Sequence, residues 1–131
     1  MIQSFSVQTS TREELVDITS LVQGAVKEAG ITEGVCHLYT PHTTAALTIN
    51  ENADPTVRRD IIKGLAAIGI EGVRYAHGEG NSPAHIKSSL VGCSETVFIE
   101  NGRLKLGTWQ GLYFCEFDGP RTRQVWVRMS G

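Results

Sequence analysis

Cysteine is scarce in this chain and unpaired in its spacing: Cys36, Cys93 and Cys115 are the only three, they lie far apart, and none forms a CxxC pair. That excludes a disulfide framework and a cysteine zinc knuckle, and it reads as reduced, half-buried thiols in a cytoplasmic protein. Long apolar runs are missing too. No stretch approaches the length of about 20 residues that spans a bilayer, and MIQSFSVQTSTREE lacks the basic and then apolar blocks of a signal peptide, so neither a membrane nor export is expected. An excess of basic charge is equally absent. Twelve Lys and Arg against fourteen Asp and Glu give a formal charge of -2, which leaves no field to hold a polyanion, and no nucleic-acid partner is expected. There is no GxxxxGK[ST] phosphate loop, no GxSxG nucleophile elbow, no HExxH pair, no internal repeat and no low-complexity tract.

What is present is the ordinary composition of a globular chain, 40% hydrophobic and 20% charged over 131 residues, which fits one domain spanning 1–131. IQSFSVQT at 2–9 is extended, with Phe5 and Val7 on one side. STREELVD runs into a helix signal that Asp17 can cap. Ile18, Leu21, Val22, Ala25, Val26 and Ala29 then recur at helical spacing, and Gly30 stands where a left-handed C-terminal residue is wanted. GVCHLYT (34–40) and AALTIN (45–50) alternate like strands. Asp54 before Pro55 starts a second helix, whose stripe of Val57, Ile61, Leu65 and Ile68 ends at Gly69. GVRYAHGEGNS reads as a loop, and Ser82–Pro83 opens a short helix containing His85, Ile86 and Leu90. SETVFIE, RLKLGTW, GLYFCEF and RQVWVRM read as antiparallel strands, with Asn101–Gly102 as a two-residue hairpin turn. The expected class is α+β: a single compact domain with a largely antiparallel sheet and two to three helices.

Candidate chemistry gathers around histidine. Of the four, His37 alternates within a strand and suits a structural hydrogen bond, whereas His42, His77 and His85 stand beside loop signals. HGEGNSPAH is short and glycine-rich enough to fold back and bring His77 to His85, with His42 arriving from the strand side. Three imidazoles with an open position make a catalytic divalent-metal site, and Glu51, Asp54 or Glu79 can serve as a carboxylate ligand, base or supporting partner; solvated or capping histidines are the plainer alternative. EFDGPRTR places Asp118, Gly119 and Pro120 in a tight turn. Arg121 and Arg123 follow, either converging on a phosphate or carboxylate or standing in water at a hairpin end. In GTWQG the glycines around Trp109 suggest close approach by a ligand or backbone, while Trp109 as plain core stays open. Thr43 and Thr44 next to His42 offer hydroxyls but lack a nucleophile's context.

HTTAALTINENADP, HGEGNSPAHIKSSL, GTWQG and EFDGPRTR occur in this order in the YjbQ family, also described as secondary thiamine-phosphate synthase, and the chain resembles that family over nearly its whole length. The resemblance implies a compact α+β domain, a homotrimer with its site near a subunit interface, and a divalent metal ion, zinc or magnesium. It implies metal ligands at His42, His77 and His85, catalytic roles for His42, Glu51, Asp54, Arg121 and Arg123, and substrate contacts at Thr43, Thr44, Asn52, Trp109 and Asp118. The implied activity is a transferase joining a pyrimidinylmethyl diphosphate to a thiazole phosphate with release of diphosphate, in which arginines or metal stabilise the leaving group and Trp109 or Tyr75 stacks on a ring. Two other readings stand beside it: a metal-dependent hydrolase of a phosphorylated small molecule, and a noncatalytic trimer that carries a metabolite or metal.

Overall fold

A computed structural model describes residues 1–131. Eight strands and three helices follow in the order β1 (Gln3–Gln8), β2 (Glu14–Asp17), α1 (Thr19–Ala29), β3 (Glu33–Tyr39), β4 (Ala45–Glu51), α2 (Pro55–Ala66), α3 (Ser82–Val91), β5 (Ser94–Glu100), β6 (Arg103–Leu104), β7 (Gln110–Glu116) and β8 (Thr122–Ser130). They make a five-stranded sheet, β1-β8-β3-β5-β6, and a three-stranded sheet, β2-β7-β4. Every pairing is antiparallel.

The near-continuous apolar run of β7 explains the layering. A strand buried on both faces has no polar side to alternate with, and β7 feeds two cores. Leu112 and Phe114 pack with Val125 and Val127 of β8, Leu38 of β3 and Val22 and Val26 of α1, which fills the space between the sheets. Tyr113, Cys115 and Phe117 face the other way, against Ala84 of α3 and Ile61, Ile62 and Leu65 of α2. The three-stranded sheet is therefore the middle layer. The far face of the five-stranded sheet is left uncovered, with Phe98 66% exposed and Tyr39 46% exposed.

Local signals behave as their chemistry requires. Gly30 ends α1 at φ 69°, and Asn101 and Gly102 turn β5 into β6 at φ 53° and 74°. Asp54 caps α2 by accepting the Thr56 amide at 2.9 Å. Some expectations need correction. ELVD does run into α1 but is itself strand β2, with Leu15 in the second core. Asp17 still meets the first turn of α1, accepting from the Thr19 amide at 2.9 Å. RLKLGTW keeps only Arg103–Leu104 as strand, and Asn81, not Ser82, holds the N-cap position of α3, without a side-chain capping bond, Ser82 being already helical. Cys93 is exposed, while Cys36 and Cys115 are buried.

Candidate functional site

The loop between β3 and β4 carries His42, and its position is set by the end of a ladder. The β3–β8 pairing stops at Tyr39↔Trp126. Gln124, two residues before Trp126 on β8, has its carbonyl bonded by Thr40 Oγ1 at 2.9 Å and its amide accepted by His42 Nε2 at 2.9 Å. Side chains thus replace the missing strand partner, as backbone groups near a core require. An imidazole whose Nε2 accepts carries its proton on Nδ1. Burial first, and then the positive charges of Arg123 and Arg121 against the opposing Glu116, hold His42 below its usual range. His42 is accordingly a neutral ring of fixed tautomer, presenting an Nδ1–H donor.

His42 lines a cavity of about 610 Å³ between this loop and α3. The opposite wall holds His85, Ser88, Ser89 and Cys93, and no carboxylate lines it. Ser88 is committed, its hydroxyl donating to the Ala45 carbonyl at 2.6 Å and pinning α3 to β4. His85 also borders a second, 360 Å³ cavity with Tyr75, His77 and Ser82. The His77 and His85 rings meet edge to face, centroids 5.4 Å apart. His85 is therefore the shared wall, with His42 on one side and His77 on the other.

The three histidines do not form a ligand set for one ion within the chain, and no group of three His, Cys, Asp or Glu does so elsewhere. His42 fails on chemistry as well, since the Nε2 lone pair that could coordinate already accepts the Gln124 amide. Within the single chain the expected His42–His77–His85 set is divided into an adjacent His77–His85 pair and a separate His42.

The turn between β7 and β8 braces the site from below. Counting in twos along β7 and β8 puts Glu116 and Arg123 between the sheets, 0% and 2% exposed. The Glu116 carboxylate accepts from Arg123 Nε at 2.8 Å and from Arg123 Nη2, from Thr9 Oγ1 at 2.8 Å and from the Asp118 amide at 3.0 Å. Burial alone would raise its pKa; the bonds from Arg123, the Asp118 amide and Thr9 together lower it. Arg123 also donates to Thr44 Oγ1 at 2.9 Å. Arg123 and Thr44, expected to meet substrate, are thus spent inside the protein. Asp118 is likewise a brace: its Oδ2 accepts from Asn81 Nδ2 at 2.9 Å and from Arg121 Nη2 at 3.3 Å, tying the start of α3 to the turn. Gly119 is required there, because a Cβ would stand 2.6 Å from the Thr11 carbonyl oxygen. Arg121 alone of this group is half exposed.

The remaining expected residues lie elsewhere. Thr43 lines the His42 cavity. Glu51 ends β4 and Asn52 and Asp54 follow it at the far end of the strand, where the Asn52 amide donates to the Trp109 carbonyl at 2.9 Å. Six residue steps of β4 set roughly 20 Å between the two ends. Trp109 is 62% exposed and is not core. Sequence reasoning overlooked Asn81, Ser89 and Cys93 in the cavity region; the glycine-rich loop hinted at the first, and nothing marked the others.

The class defined here is a two-sheet α+β protein with α2 and α3 backing the smaller sheet and an imidazole-lined, carboxylate-free cavity at one end. The description "UPF0047 protein YjbQ-like" fits residues 3–131, and the chain belongs to the YjbQ family. It is 51% identical to the UPF0047 protein YugU of Bacillus subtilis over 132 residues, covering 100% of both chains. It is 51% identical to a UPF0047 protein of Methanocaldococcus jannaschii over 131 residues, covering 100% of this chain and 95% of that one. A crystal structure of a YjbQ/UPF0047 protein from Clostridium acetobutylicum matches with a TM-score of 0.94 at 53% identity, over 98% of this chain and 99% of that one. A Sulfolobus solfataricus structure, described as a YbjQ-like protein of unknown function, matches with a TM-score of 0.92 at 30% identity, over 98% and 95%. These relatives overturn the thiamine-phosphate synthase expectation: they are named by family alone, and no thiamine-related activity is attached to them.

Proposed function

We propose that the His42–His85 cavity is the active site of an enzyme that moves a proton on a small oxyanion-bearing substrate. The observation that supports this most is the asymmetry of the two imidazoles. His42 is locked as a neutral donor by the Gln124 amide, whereas the His85 imidazole has no hydrogen-bond partner within the chain, only its backbone amide donating to the Asn81 carbonyl, and it faces the same carboxylate-free space. A fixed N–H donor orients a carboxylate or phosphate oxygen, and an uncommitted imidazole nitrogen is placed to take a proton from the substrate and return it. Arg121, whose charge reaches His42, adds attraction for the anion.

For a divalent ion, His77 and His85 supply two imidazoles and His42 none, so an ion held there takes its other ligands from water or from a second copy of the chain. The homotrimer implied by the resemblance is supported by the uncovered outer face of the five-stranded sheet, where Val35 is paired with Phe98 and Tyr39 with Trp126. Three free thiols support a cytoplasmic setting, and none of the helices is long and apolar enough to cross a membrane.

The test is binding and turnover with a panel of small carboxylates and phosphates, compared between the natural chain and His85→Ala and His42→Phe. Binding should weaken in both, and proton-transfer turnover should vanish in His85→Ala. Unchanged binding and turnover in His85→Ala would refute the proposal. Analytical ultracentrifugation of Phe98→Glu checks the trimer, which should dissociate.

A further inference from the structure

A separate cavity of about 300 Å³ opens between β2 and α2, lined by Glu13, Glu14, Leu15, Arg58, Arg59 and Ile62. Two acids and two bases line it, yet only the acids have hydrogen-bond partners. Glu13 accepts from Lys87 Nζ at 2.6 Å. Glu14 accepts from the Ser10 amide at 2.5 Å and the Thr11 amide at 2.9 Å. Neither arginine is in an ion pair.

Arg58 is the informative one. Its guanidinium lies over the Tyr113 ring, 5.5 Å from the centroid, and its Nε is buried with no acceptor. A hidden donor left unbonded is costly, more so when it belongs to a charged group. Asp17 and Glu51 are close enough to act on Tyr113 alongside Arg58, but neither pairs with it. The aromatic ring holds the guanidinium plane in place, so its donor edge is ready for a planar or tetrahedral oxyanion without further ordering.

We propose that this cavity is a second anion site, in which Arg58 and Arg59 bind the carboxylate or phosphate group of a small solute. It lies on α2 and owes nothing to the histidine cavity, so either proposal stands if the other falls. The volume matches a solute of small-metabolite size.

The test is side-chain NMR of the full-length protein with ¹⁵N-labelled arginine. The Arg58 Nε–H resonance, assigned by its loss in Arg58→Lys, is followed while inorganic phosphate or acetate is added at constant ionic strength. A saturable shift with one or both is expected, and the tighter of the two identifies the oxyanion class. Arg58→Lys, which keeps the charge but loses the fork, should weaken that affinity about tenfold, read by calorimetry. Arg59→Gln should weaken it while leaving the Arg58 signal in place, which keeps the test valid if Arg58→Lys misfolds. No saturable shift with either anion, or full affinity in Arg59→Gln and Arg58→Lys alike, would overturn the proposal. So would a shift that follows protein concentration and ignores the added anion, because a second copy would then fill the site.

Discussion

Replacing Arg123 with methionine isolates the strongest interaction beneath the site. The substitution removes two of the four hydrogen-bond donations that the Glu116 carboxylate receives, and all of its countercharge, at a position with 0% exposure. Breaking one partner from a buried ion pair costs about 3–5 kcal/mol, because the survivor is left as an unmatched charge. In a chain of this size that corresponds to a fall in melting temperature of roughly 10–20 °C. The pH dependence carries the sharper test. In the natural protein Glu116 sits below its ordinary 4.5, so its contribution is complete above that value and fades as pH falls through the lower folded one. Without Arg123 the sign reverses. Burial then raises the carboxylate, the folded state holds a proton that the unfolded state releases, and stability is lost as pH rises. Urea unfolding at pH 7 and pH 4 should therefore show a deficit that shrinks at the lower pH, and adding Glu116→Leu should recover more than half of it at pH 7. A deficit below about 1 kcal/mol, or one equal at both pH values, would refute the assignment of a buried, charged pair.

Three further outcomes follow from the same geometry. His42 sits below its usual 6.5 because of burial and then Arg123, so it contributes stability above pH 6.5 that is lost as pH falls through the folded value; His42→Phe should flatten that acid limb in thermal melts. Lys87→Met strips the bonds to Glu13 and Glu71, at 2.6 Å and 2.8 Å, and should cost about 1–3 kcal/mol, with faster amide hydrogen exchange over residues 67–81 than over β7. Asp54→Ala removes the acceptor of the Thr56 amide and should lower the melting temperature and speed exchange in the first turn of α2, while Asp54→Ser retains most of the protection.

The sequence disclosed whatever rested on local chemistry. Gly30, Asp54–Pro55 and Asn101–Gly102 act through groups within a few residues of themselves, so their roles could be read without knowing the fold. ELVD failed because Leu15 and Val16 are fixed by pairing with β7, a hundred residues away, and a four-residue strand is too short to announce its period. RLKLGTW failed for the converse reason: alternation was present, but after Lys105, whose amide still donates to the Phe98 carbonyl of β5, the chain turns back on itself through the Leu106 amide and the Leu104 carbonyl. In the site, His77 meeting His85 was legible because a glycine-rich loop of seven intervening residues makes return easy. The metal triad was not, since whether His42 keeps a free lone pair depends on the amide of Gln124, 82 residues along the chain.

That last dependence explains why motif residues and working residues differ here. A contiguous motif mixes side chains that face a cavity with side chains that hold the cavity's walls. In HTTA, His42 and Thr43 reach the open space while Thr44 turns inward to Arg123. In EFDGPRTR, Glu116 and Arg123 point between the sheets, Asp118 braces Asn81, and Arg121, alone among the charged side chains, keeps about half its surface in water. Counting such motifs as a single constellation therefore overstates the ligands and understates the scaffold. The chemistry left to the solvent side is one fixed N–H donor, one uncommitted imidazole and one guanidinium, which is a set suited to holding an oxyanion while a proton moves.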